Sequence, residues 1–153
     1  MKRDWSAYAP LALRLMLGFG FLYHGLPKLG DGHFGFVLML DEIGIPWPGV
    51  MAWVVGILEV VGGLALWAGV FTAIVSGVLI FELLVALFTV HLPSGFNFVN
   101  ITDAAGPVFG MPGYEVVLLY IAMMLALILS GPGKYTVPAM WAARRPVAAI
   151  GAS

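Results

Sequence analysis

Between Gly44 and Leu92 the only charged side chains are Glu59 and Glu82. An α-helix rises 1.5 Å per residue, so about 20 uncharged residues cross the hydrocarbon core of a bilayer. This stretch is long enough for two crossings folded back on each other. A water-soluble domain carries about 25% charged residues, whereas this 153-residue chain carries 10%, with 61% hydrophobic residues and a mean hydropathy of +1.01. Too little polar surface is available to cover a soluble globule, and the bilayer becomes the expected solvent.

Four spans are expected, over residues 8–29, 50–69, 73–91 and 114–130, in a single domain covering 1–153. Prolines and glycines punctuate their ends, where a helix can stop without orphaning backbone groups in lipid. "MKRDW" resembles a signal-peptide start. The apolar run beyond it is too long for a signal core and lacks a small-x-small cleavage site, so it is read as a retained span. Lys2 and Arg3 precede the first span, and Lys134, Arg144 and Arg145 follow the fourth, whereas the loops at 30–48 and 92–113 contain neither lysine nor arginine. The positive-inside rule then puts both termini in the cytoplasm. The expectation is an all-α, four-helix multi-pass bundle of the inner (cytoplasmic) membrane. Trp47, Trp53 and Trp67 fit interfacial belts. A net charge of −1 leaves no footprint for nucleic acid, and with no cysteine there is no disulfide, thiolate nucleophile or cysteine metal site.

Seven ionisable residues fall in or beside these spans: Arg14, His24, Lys28, Glu59, Glu82, His91 and Glu115. A charge at the bilayer centre costs about 2.5–3.5 kcal/mol on insertion scales unless it is paired or hydrated. Counting from the span ends sets Glu59 and Glu82 near the midplane and Arg14 in the inner half. His24, Lys28, His91 and Glu115 fall at the outer rim. Arg14, Gly18, Phe21, Gly25 and Lys28 recur at intervals of three and four, forming one stripe; Gly56, Glu59 and Gly63 form another. Small residues on such stripes let helices approach closely. Turned inward, the stripes would pair Arg14 with Glu59 or Glu82. Blander readings stand beside this one. Lys28 suits a snorkelling anchor, Glu115 suits the first turn of a helix, and His91 suits a helix end in the headgroup layer. No metal site is expected.

The stretches "LRLMLGFGFLYHGLPKL", "GILEVVGGLALWAGVFT", "HLPSGF" and "YEVVLLYIAMMLALILSGPGKYTV" together resemble the DoxX family of small membrane proteins, over about Leu11 to Val137. The resemblance implies a four-helix membrane bundle. It carries the family's motif positions onto Arg14, Gly25, Lys28, Glu59, Gly62, Gly63, His91 and Glu115. Glu82 and His24 depart from the family pattern. Family members include a subunit of a thiosulfate:quinone oxidoreductase and a membrane partner in an oxidative-stress complex. The implied theme is a membrane subunit of redox or quinone-linked chemistry that works beside a separate catalytic subunit.

Two functions follow as expectations. In the first, a quinone occupies an apolar slot, with His24, Lys28, His91 and Glu115 as donors and Glu59 and Glu82 as proton holders. Phe96, Phe98 and Phe109 would cover the slot or rest on the membrane interface. Electron transfer would need the quinone, a partner, or a haem held by His24 and His91. In the second, the chain is a noncatalytic structural or assembly subunit, and the polar set only fixes the bundle's register. The partners expected are lipid and other subunits or further copies of the chain. A transporter would use the carboxylates as ion sites, but no inverted repeat supports one.

Overall fold

The computed structural model describes residues 8–98 and 112–144; Lys2, Arg3, Arg145 and Phe109 lie outside them. All regular structure among the described residues is helical: α1 (Ala9–Leu29), α2 (His33–Glu42), α3 (Pro48–Ala68), α4 (Thr72–Ala86), α5 (Glu115–Ser130) and α6 (Val137–Arg144). Helix α4 runs on through a π turn, Leu87–His91, and a 3₁₀ turn, Leu92–Ser94. Three of these helices, Ala9–Leu29, Pro48–Ala68 and Thr72–Ser94, are long and apolar enough to cross a membrane. Glu115–Ser130 is apolar but only 16 residues long.

The ends of the helices follow from their punctuation. Pro48 occupies the start of α3, where its missing N–H costs nothing. Gly69 ends α3 at φ +71, a left-handed backbone that a side chain would strain. Its N–H donates to Leu66 O, and Val70 N–H reaches back to Ala65 O at 3.0 Å, so two carbonyls of the last turn are satisfied. The turn into α4 is therefore very short. At the other end of the bundle α1 continues through Pro27 and stops at Gly30; Pro27 O accepts from both Gly30 N and Gly32 N.

The expected outward loop at 30–48 is partly helical. Phe36, Met39, Leu40 and Ile43 repeat at intervals of three and four, and α2 lies along α3 and touches α1. Its flanking glycines and short length mask that period in the sequence.

Helix α1 packs along α3. Both α1 and α4 touch α3 and α5. The glycine stripes make the first contact close. A Cβ at Gly18 would lie 2.7 Å from Gly63 O, and one at Gly63 would lie 2.9 Å from Gly18 O. Gly25 meets Glu59 and Val60, Gly56 meets Lys28 and Leu29, and Gly62 meets Leu79 on α4. Leu17, Phe21, Leu66, Leu79, Met124 and Leu127 form the core between the four long helices. Large apolar side chains such as Phe81 and Leu129 point outward, 69% and 86% exposed, as a surface solvated by lipid requires.

Candidate functional site

A cavity of about 530 Å³ opens between α1, α3 and α4 at the end where α1 stops and α3 begins. Most of its wall is apolar. Phe21 comes from α1, Val55 and Leu58 from α3, Phe81 and Ala86 from α4, and Phe36, Met39 and Leu40 from α2, with Ile43 just past its end. Into this wall the fold inserts His24, Lys28, Glu59, Glu82, Thr89, His91 and Tyr120. Five of the seven ionisable residues singled out in the sequence thus border one space.

Lys28 Nζ bonds Glu59 Oε2 at 2.6 Å, with side-chain exposures of 20% and 5%. The contact is possible because Gly56 and Gly25 let the end of α1 lie directly on α3. The ammonium also sits 4.7 Å above the centre of the Phe36 ring, an attraction to the ring's negative face. Lys28 is therefore turned into the bundle rather than out as a headgroup anchor. Glu82 is different. Its Oε2 is buried and has no hydrogen-bond partner among the described residues. Two carboxylates and one ammonium leave the cavity with one acidic group that no cation neutralises. Such a group holds a proton or waits for a donor.

Thr89 and His91 reach the cavity from the π turn. The extra residue in that turn redirects the side chains of α4, a feature that recurs at functional sites. His91 Nδ1 lies 2.8 Å from Pro112 O, which also borders the cavity. His24 sits edge-on to Tyr23, with ring centres 5.7 Å apart.

Arg14 does not pair with Glu59 or Glu82. It is 1% exposed and donates to four backbone oxygens: Leu66 O at 2.8 Å, Trp67 O at 2.7 Å, Pro132 O at 2.9 Å and Tyr135 O at 2.8 Å. Two of these carbonyls belong to the last turn of α3, where a helix leaves acceptors unmet and a cation is favoured. The guanidinium thus seals the end of the bundle away from the cavity. Glu115 also stays outside the cavity lining. It begins α5, and its Oε2 accepts from Phe98 N at 3.2 Å. That bond continues a run in which Gly113 N, Tyr114 N and Glu115 N donate to Asn97 O, Gly95 O and Phe96 O. Phe96 and Phe98 are exposed.

Sequence reasoning missed Phe36, Met39 and Leu40 of α2, Ile43 just past its end, Tyr120, Thr89 and His33. His33 Nδ1 lies 2.8 Å from Lys28 O, and its ring packs 4.4 Å from that of Trp53. Tyr120 had a legible signal, because Val117, Tyr120, Met124 and Leu127 repeat with helical period on the inward side of α5. Trp67, expected in an interfacial belt, donates from Nε1 to Leu15 O at 2.9 Å and packs against Gly18.

Residues 9–92 match the family model described as DoxX. The chain is 31% identical over 117 residues to a Bacillus subtilis (strain 168) protein named "Putative oxidoreductase CatD", covering 76% of each chain. No solved structure matches. The matched segment holds α1 to α4 and every cavity residue named above except Pro112 and Tyr120, and on this agreement of sequence and helices the chain belongs to the DoxX family of integral membrane proteins.

Proposed function

We propose that this protein is a multi-pass subunit of the inner membrane, with four spans and both termini cytoplasmic, whose cavity binds a quinone in redox chemistry shared with a partner subunit. One observation carries the reading. A cavity of about 530 Å³, walled by aliphatic and aromatic side chains, holds the Lys28–Glu59 pair and the unpartnered Glu82. This size falls within the range for drug-sized ligands, and a few polar groups in an apolar wall are what orient a ring bearing carbonyl oxygens. Lys28, His24 and His91 supply donors, and Glu59 and Glu82 hold protons. Arg14 acts through the fold, because its hydrogen bonds are made to carbonyls away from the cavity. The oxidoreductase name of the Bacillus subtilis relative supports redox chemistry as the general theme.

The test is organic extraction of protein purified in mild detergent, with quinone read by absorbance. Wild type should carry quinone, and Glu59→Gln and Lys28→Met should lose it while eluting as one symmetric peak on gel filtration. A wild type without quinone, whose variants still assemble in the native membrane, would leave a noncatalytic assembly subunit as the function.

A further inference from the structure

The cavity lies in the gap of a splayed hairpin. Near the α3–α4 turn the two helices touch, with Gly62 3.1 Å from Leu79 as measured from the glycine's Cβ position. Antiparallel pairing of these two sets Leu58 across from Leu83 and Val55 across from Ala86. All four of those side chains border the cavity. At its lateral edge stand Val54 and Phe81, which line the cavity and are also 48% and 69% exposed on the outer face of the bundle. Across the end facing the headgroups lies α2, with its Phe36 to Ile43 stripe turned inward. The exposed lining side chains of α3 and α4 point to an opening toward lipid, while α2 lies over the end toward the headgroups.

We infer that the cavity is loaded sideways from the bilayer, through the gap between α3 and α4, by a membrane-dissolved amphiphile. Its hydrogen-bonding head lodges beside Glu82 while its apolar body extends past Val54 and Phe81. An apolar body that stays in contact with lipid avoids the cost of passing through water. A head that donates to Glu82 satisfies a buried oxygen that has no partner among the described residues. This inference rests on the cavity being the ligand site proposed above. It adds the route and the orientation.

The chain's lack of cysteine makes the test direct. Val55→Cys and Ala86→Cys variants are spin-labelled, the proteins are reconstituted in phosphatidylcholine vesicles, and relaxation by oxygen is compared with relaxation by the water-soluble complex nickel ethylenediaminediacetate. Val61→Cys on the outer face of α3 gives the lipid reference, and Asp41→Cys on the exposed side of α2 gives the water reference. The oxygen-to-nickel ratio at both cavity positions should be close to that of Val61→Cys and several-fold above that of Asp41→Cys. A ratio near that of Asp41→Cys overturns the inference, because the cavity then opens to water. Labels relaxed by neither reagent also overturn it, because the cavity is then sealed. Two positions keep the result readable if one variant fails to assemble. The measurement needs no ligand, so absence of quinone and absence of the lateral route are separate outcomes.

Discussion

At Arg14 every hydrogen bond goes to backbone oxygen, and this explains why a buried guanidinium lies among helices without a carboxylate beside it. Its flat fork reaches the last turn of α3 and the segment between α5 and α6 together, which the single ammonium of lysine does not. Arg14→Lys should therefore leave at least one buried carbonyl unmet, at about 1–3 kcal/mol. The expected outcome is a lower thermal unfolding midpoint in detergent with the cavity residues undisturbed; an unchanged midpoint contradicts the sealing role. The sequence showed that Arg14 lies on an inward stripe. It did not show the partners, because carbonyls occur at every residue and spacing along one helix does not tell which helix end comes near. Lys28 and Glu59 form the ion pair instead. Breaking a largely buried pair from one side costs about 3–5 kcal/mol. Glu59→Gln and Lys28→Met should each destabilise the protein, and the double variant should lose less than the sum. Additive losses in that cycle would mean that the pair carries no coupling.

Among elements, the tightest contact is α1 on α3, where two glycines bring backbone against backbone. Gly63→Ala should cost about 1–3 kcal/mol, as overpacking does. Gly35→Ala on α2, whose added methyl would meet nothing within 4 Å, should stabilise that helix by roughly 0.5–1 kcal/mol. Opposite signs in a chemical-denaturation series check the pair of predictions. The glycine stripes and the long helices were legible because lipid imposes length and period at once. Helix α2 and the π turn were not. A ten-residue apolar segment between glycines reads equally as loop or helix, and nothing in "LFTVH" marks the added residue that turns Thr89 and His91 toward the cavity.

For the whole molecule, the proposed topology predicts that a fluorescent protein joined to the C-terminus glows, while alkaline phosphatase joined there stays inactive. Active phosphatase at that end would overturn the cytoplasmic placement of the C-terminus. Helix α5 brings a further consequence. Its 16 residues make a rod about 24 Å long, against roughly 30 Å of hydrocarbon in an average bilayer. On the four-span reading that flank carries a hydrophobic mismatch, met by local thinning or by snorkelling of flanking side chains, and the strain is smallest where acyl chains are short. The protein then responds to bilayer thickness on the side bearing α5, and its lifetime in vesicles should lengthen as the lipid tails shorten.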